Sequence, residues 1–391
     1  MNGEAWIKPA LDELENEHLK RELTTYSQAG GKVSLNQRPA LNFSSNDYLD
    51  LARHPDVSQA SQQAVESYGT GSGASRLVSG SLPLHDQLEK RIAEHKGYDS
   101  ALFFGCGFLT SVGVIPALVG RKDTVFADSL VHASIIDAVI LSRARLVRFR
   151  HNDSGHLREL LSQRKSSSGR CLIVTESIFS MDGDCAPLPE IAELAREHDV
   201  MLMVDEAHAT GVFGPGGSGL VSKHGLQDQV NISMGTFSKA LGNYGGTVAC
   251  TSAMKEWLVN RVRAFIYTTA PPPAVVGGCL GALDVLEKEP SLAELLQRRV
   301  EKFRAELQDR GFDTGNSCSQ IIPVLAGDSE RALEFAQRLR DRGLLTVAIR
   351  PPTVPKNTAR LRLSVTLAHS EEDLTWAADQ LTSAAKELNL L

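Results

Sequence analysis

Apolar residues recur at Trp6, Ile7, Ala10, Leu11 and Leu14, a spacing that predicts an amphipathic helix. Gly30 and Gly31 mark a turn. Residues 40–44 read as a short strand running into a polar cluster, Ser45-Asn46-Asp47-Tyr48-Leu49, before another helix. Gly69, Gly71 and Gly73 then fall within five positions, which excludes a helix interior or a stable strand. A loop that lets backbone approach a ligand and a plain linker are both open there. Residues 84–95 are helical.

From 100 to 249 the pattern changes. Short apolar runs at 101–104, 124–127, 146–149, 171–174, 200–204 and 230–233 alternate with helical stretches at 108–118, 134–141, 154–163 and 187–197. Most runs lack strict alternation, which suits strands covered on both faces. The strand–helix alternation predicts an α/β protein with a mostly parallel, helix-covered sheet, to which 245–250 adds a strand. A helix over 254–265 is stopped by Pro271-Pro272-Pro273. A long helical region follows, with Leu292, Leu295, Leu296, Val300 and Phe303 on one face. A strand at 321–325, a helix at 330–340 and strands at 345–349 and 359–367 then predict a small C-terminal α+β domain. The expected division is an N-terminal helix and strand segment at 1–45, a large α/β domain at 46–285 and the small domain at 286–391.

Composition narrows the function classes. The 391 residues are 42% hydrophobic and 23% charged, with net charge −6 and no basic run, so a nucleic-acid partner is not expected. The six cysteines form no CxxC, which argues against a zinc knuckle or disulfide framework and for buried thiols in a reducing compartment. No metal is expected. Residues 1–20 are acidic early and lack a long apolar core, unlike a signal or transit peptide. No apolar run reaches membrane-spanning length, so a cytoplasmic protein without membrane contact is expected.

Candidate chemistry gathers at predicted strand ends. Thr236-Phe237-Ser238-Lys239-Ala240-Leu241-Gly242 follows the run at 230–235 and sets a lysine among small residues, with a hydroxyl three positions before it. A Schiff-base lysine needs such a setting, partly desolvated and with room for a flat cofactor. A surface lysine beside a Gly-rich turn is the competing reading. Asp205 ends an apolar run 34 residues earlier, where ligands sit in open α/β sheets. It could hold a pyridinium N–H or merely cap a turn. His208, three residues on, could reach the same ring or be structural. Gly107 and Phe108 open a helix whose N–H groups suit phosphate, although such turns also occur without ligand. His132 and Ser180 lie in two further polar strand-end loops. Along 359–367, Leu361, Leu363, Val365 and Leu367 alternate with Arg360, Arg362, Ser364 and Thr366. The arginines would be solvated if their face meets water, or could grip a carboxylate if it meets the cleft.

The order Asn46, Gly107-Phe108, His132, Ser180, Asp205-x-x-His208, Thr236-x-x-Lys239 is similar to that of the α-oxoamine synthases, over nearly the whole chain. These are pyridoxal 5'-phosphate (PLP) enzymes of the aspartate-aminotransferase fold, fold type I. Three stretches look most like the branch that works in biotin synthesis: Asn42 through Leu49, Gly71 through Gly80, and Ile349 through Pro355. Asp50 stands where glycine is usual, in a left-handed turn that Asp tolerates, and Ser238 where some members have glycine.

The resemblance implies decarboxylative condensation of L-alanine with a pimeloyl thioester, carried on coenzyme A or acyl-carrier protein. It assigns the cofactor Schiff base and the Cα base to Lys239, the ring nitrogen to Asp205, ring stacking to His132 and the phenolic oxygen to His208. Gly107, Phe108, Ser180 and Thr236 fall to the phosphate end, with Thr268 expected from a neighbouring subunit of a homodimer. Asn46 and Arg362 fall to the alanine carboxylate, and Arg21, Arg350 and Thr353, with His132, to the acyl substrate. The rival readings are a related synthase using glycine or serine, an aminotransferase, and a silent scaffold of the same fold.

Overall fold

The computed structural model describes residues 3–391 apart from 18, 22, 28, 29, 36, 37, 165–168 and 352. Residues 1, 2, 18, 22, 28, 29, 36 and 37 of the N-terminal segment, and Pro352 of the 349–355 stretch, therefore lie outside it. The strands in chain order are β1 (Lys32–Leu35), β2 (Arg38–Asn42), β3 (Ser100–Phe104), β4 (Thr124–Asp128), β5 (Arg145–Phe149), β6 (Cys171–Glu176), β7 (Met201–Asp205), β8 (Ile232–Thr236), β9 (Gly246–Cys250), β10 (Ile321–Gly327), β11 (Leu344–Leu345), β12 (Val347–Ile349) and β13 (Ala359–Ser364).

Seven of them form one sheet in the order β3-β9-β8-β7-β6-β4-β5. Only β9 runs antiparallel to its neighbours there. The central strands are buried along their whole length, as the unalternating apolar runs require. Because β4, β6, β7 and β8 are parallel, their carboxyl ends share one edge. That edge carries Asp128, Glu176, Asp205 and Thr236. This is the edge at which α/β sheets bind ligands.

A second sheet, β10-β13-β12, is antiparallel throughout, and a third joins β1 and β2 to β11. The run expected as one strand at 345–349 therefore divides at Thr346 between two sheets. β13 ends at Ser364, and all six of its residues are buried, because its arginine face meets the large sheet's loops and not water. The expected helix at 254–265 breaks at Val262 into Ser252–Arg261 and Arg263–Ile266. A helix unforeseen in the sequence, Glu371–Glu387, begins with a capping box of Ser370 and Asp373 and buries Leu374, Ala377, Ala378, Leu381, Ala384 and Ala385. The N-terminal helix forms at Ile7–Asn16 but buries none of its residues, and Trp6 beside it is 69% exposed. Asp50 takes the left-handed conformation, with φ of 58°.

One expectation is corrected outright. Cys185 and Cys318 are joined as a disulfide and are not free thiols. They lie 133 residues apart, and the chain brings the loop after β6 against the approach to β10. Cys250 and Cys279 are free and buried, Cys171 is buried, and Cys106 is free and half-buried.

Candidate active site

Lys239 sits in the turn after β8, half-buried, with its amine 2.9 Å from His208 Nε2. Burial pushes the amine down to about 8, against the opposing pull of the Asp205 and Glu176 carboxyls. An amine near that value has an accessible neutral, nucleophilic form. His208 lies well below the ordinary imidazole range, first because it is buried and then because Lys239 and Arg362 repel a second positive charge. Neutral imidazole has one donor and one acceptor. A Lys239 ammonium donating to Nε2 leaves the proton on Nδ1, which meets the Tyr48 hydroxyl at 2.8 Å. Tyr48 in turn donates to Asn46 Oδ1 at 3.1 Å and accepts from Arg362 Nη2 at 3.4 Å. One hydrogen-bonded chain thus links the lysine to the arginine.

Asp205 is buried at the end of β7, and burial raises its carboxyl above the usual range. Its Oδ1 accepts the Ala207 N–H at 2.9 Å, so the turn-capping role is present as well. The charge of Lys239 pulls it back down, and the His132 imidazole, which burial lowers below its ordinary value, stands near it. His132 caps the helix Ala133–Ser142, accepting from Ser134 N at 3.2 Å, and its side chain stands exposed at the cleft.

At the other end of the cleft Cys106 caps the helix Gly107–Leu118, whose first-turn N–H groups include those of Gly107 and Phe108. A Cβ on Gly107 would come within 3.2 Å of Met234 Cε and 3.8 Å of Thr236 Cβ, so glycine leaves the space beside Thr236 open. The Thr236 hydroxyl donates to Gly245 O at 2.7 Å and lies 2.7 Å from Ser238 Oγ.

Arg362 is 8% exposed, and every acceptor it meets is neutral. Nε donates to Ser180 O at 2.6 Å, Nη1 to Ser364 Oγ at 2.9 Å, and both Nη atoms to Asn46 Oδ1 at 3.2 Å. No ion pair involving it occurs among the described residues. A buried guanidinium without a carboxylate is electrostatically incomplete, and a planar carboxylate suits its fork. Arg360 differs. It is buried too, but is paired with Asp182, so the solvated reading fails for both arginines. Ser180 and Asp182 belong to the loop after β6, which is also tied to His151 through Asp184 at 2.7 Å and to Cys318 by the disulfide. His151 bridges Asp128 and Asp184, and their carboxylates raise it to about 10 despite its burial.

The acyl-substrate candidates lie elsewhere. Arg21, Arg350 and Thr353 line a cavity of about 460 Å³ with Lys20 and Arg340, and among the described residues no carboxylate lines it. Partial burial and the charge of Arg21 push the Arg350 guanidinium down. Thr346 Oγ1 in the same lining is buried without a partner. Thr268 is exposed after the helix Arg263–Ile266 and joins neither group within one chain.

Sequence reasoning gave no role to Tyr48, which lay inside a stretch quoted only for its likeness. Nor did it give one to Glu176, whose only signal was its place at a strand end beside Asp205. Gln320, which donates to His208 O at 2.8 Å, carried no signal at all.

These residues fit a pyridoxal phosphate. A desolvated lysine, a buried carboxyl for a ring nitrogen, a neutral imidazole and an open helix N-terminus beside Thr236 match its aldehyde, pyridine, phenol and phosphate groups.

Comparison with known proteins agrees. The model for aminotransferases of class I and II matches residues 38–381. A protein of Geobacter sulfurreducens named 8-amino-7-oxononanoate synthase is 45% identical over 98% of this chain and 99% of its own. The solved serine palmitoyltransferase of Sphingomonas wittichii superposes with a TM-score of 0.94 at 29% identity, over 100% of both chains. A serine palmitoyltransferase variant from S. paucimobilis, solved with bound PLP and myriocin, gives 0.93 at 28% identity, over 99% of this chain and 98% of that one.

Proposed function

The chain belongs to the class I and II aminotransferase family, among the 8-amino-7-oxononanoate synthases, and from that membership we propose its reaction and the division of labour among its residues. It condenses L-alanine with a pimeloyl thioester, on coenzyme A or acyl-carrier protein, to give 8-amino-7-oxononanoate, CO2 and the free thiol carrier. PLP, when bound, supplies an electron sink for the carbanion at the alanine Cα.

The protein's own residues do the rest. Arg362 and Asn46 grip the alanine carboxylate, which fixes the amino acid over the cleft. Lys239, with its amine lowered to about 8, takes the Cα proton and later returns one. Asp205 keeps a proton on the ring nitrogen. His208, held neutral and oriented by Tyr48, hydrogen-bonds the phenolic oxygen. His132 covers the ring face and meets the incoming acyl group. Gly107, Phe108 and Thr236 hold the phosphate end, whereas Ser180, assigned there by resemblance, lies against Arg362 at the opposite end, where its hydroxyl suits the phenolic oxygen. Arg21, Arg350 and Thr353 take the acyl substrate in the cationic cavity, whose charge suits an anionic chain. The observation that carries the reading is Arg362: a buried cation with neutral acceptors only, joined through Tyr48 and His208 to Lys239.

The working unit is a homodimer. Leu77 (52% exposed), Val78 (81%), Phe108 (47%) and Tyr267 (72%) are large apolar residues left open, in segments that also include Gly107 and Thr268. A second copy covering them would bring Thr268 to a neighbouring site. The setting is the cytoplasm, in keeping with relatives that are bacterial biosynthetic enzymes; among the described residues no helix is long and apolar enough to cross a membrane.

The test is to incubate the holoenzyme with alanine, glycine or serine against pimeloyl and long-chain thioesters and to weigh the products. A mass for 8-amino-7-oxononanoate from alanine alone supports the reading. Turnover of serine with a long-chain acyl group instead would favour the chemistry of the serine palmitoyltransferases whose fold the chain shares.

A further inference from the structure

Glu176 ends β6 in direct register with Asp205 on the parallel strand β7. In-register neighbours on parallel strands project to the same face about 4.8 Å apart. Glu176 is 3% exposed and Asp205 6%. Among the described residues no ion pair includes either carboxyl, whereas the next residue, Glu206, is paired with Lys96 at 2.9 Å. Two carboxyls buried side by side do not both ionise, so the pair retains a proton.

The surroundings decide which one keeps it. Asp205 faces Lys239 and accepts the Ala207 N–H, and its one opposing carboxylate, Glu206, is itself paired with Lys96. Glu176 faces Lys239 alone as a cation and two carboxyls, Asp205 and Asp128 from β4. The balance leaves the proton on Glu176. Its Oε1 also accepts the backbone N–H of His132 at 2.5 Å, where the helix Ala133–Ser142 begins.

We propose that Glu176 is a positioning residue acting as a neutral acid, which anchors the backbone of His132 and leaves Asp205 the single negative charge beneath the cofactor ring. The inference rests on the assignment of Asp205 and His132 to that ring. Burial, then Asp205, pushes Glu176 up to about 8, in keeping with a protonated group at neutral pH.

The test compares Glu176→Gln with Glu176→Ala. Gln keeps an oxygen for His132 and no charge, so the variant should bind PLP within about threefold of wild type. Ala loses the oxygen and should bind about 10-fold more weakly, the worth of one buried hydrogen bond.

A second measurement uses the cofactor-free protein and reads the charge state. Glu176 holds its proton in the fold up to about 8 but releases it in the unfolded chain above 4.5. Wild type therefore loses stability relative to Glu176→Gln as pH rises between those values. The Tm difference, Gln minus wild type, should grow from pH 5 to pH 8, about the interval between the two titrations, and level off above it. PLP binding by Gln as weak as by Ala, or a Tm difference flat across that range, would overturn the proposal. Borohydride mapping on wild type separates this from the broader reading. Cofactor fixed on Lys239, with either of those failures, removes Glu176's role alone.

Discussion

The Lys239 cleft and the cavity bounded by Arg21 and Arg350 both collect cations, in opposite solvents. In the cleft, Lys239 and Arg362 are held by short hydrogen bonds to His208, Asn46 and the Ser180 carbonyl. Desolvation there moves Lys239 and His208 far from their ordinary values. In the cavity, Arg21 is exposed and Arg350 half-buried, and Arg350 is lowered by that partial burial and then by the charge of Arg21. A reacting centre needs fixed, dehydrated groups whose charges are worth more than in water. A site for the far end of a flexible acyl chain needs only a field of the right sign, with water left in place. Changes in the cleft should therefore be large and indifferent to salt, and changes in the cavity small and salt-dependent.

The largest effect is expected at Lys239. Lys239→Ala should abolish both turnover and borohydride fixation of the cofactor. Peptide mapping that places the cofactor on another lysine would remove the cleft from the comparison altogether. In the cofactor-free protein, amine labelling of Lys239 should show a midpoint at about 8. An amine lowered in this way binds fewer protons folded than unfolded between about 8 and 10.5, so Lys239 favours folding increasingly as pH rises through that interval.

Asp205→Asn comes next. The amide keeps the shape and removes the charge, so cofactor should still bind while exchange of the alanine α-deuterium falls at least about 100-fold. Since Asp205 supports the charge on Lys239, the labelling midpoint should also move down. Exchange at the wild-type rate would show that the carboxylate does not act on the ring.

Arg362→Ala should weaken L-alanine binding, followed spectrally, by roughly 10- to 150-fold, which corresponds to about 1.5–3 kcal/mol for charge-assisted hydrogen bonds. Lysine at this position should restore only part, since it lacks the planar fork. Arg360→Ala should cost several-fold less, about the effect of loosening the loop through Asp182. Equal losses at the two positions would mean that β13 does not single out one arginine.

The smallest effect belongs to the cavity. Arg21→Ala and Arg350→Ala should each raise KM for the thioester only a few-fold, about what exposed charges contribute, with kcat little changed. The difference from wild type should shrink as ionic strength rises from about 0.05 to 0.5 M, whereas that of Arg362→Ala should not. A salt-insensitive loss at Arg350 would move that residue into the class of the cleft.

Much of the cleft was legible because its parts are local. The run into Lys239 carries its own strand, turn and small residues, and Asp205 ends a strand that reads as buried. The alternation through Arg360 and Arg362 was legible as a pattern, but what its polar face would meet was not: water and cleft were both open, and the structure buries both arginines. The helix Glu371–Glu387 was missed although Leu374, Ala377, Ala378 and Leu381 carry the spacing of a helix face. That signal was present and unread.

The sequence by itself determined the alternation of strand and helix, the parallel sheet and the residues at its carboxyl edge, because those depend on periodicity and on what a strand can bury. It also carried the likeness that names the cofactor. Only the tertiary structure decided which groups meet: Tyr48 with His208 across 160 positions, Arg362 with Ser180 across 182, Cys185 with Cys318 across 133. Those contacts set the protonation states, since a pKa depends on dehydration and neighbouring charge, and neither is a property of a residue's place along the chain.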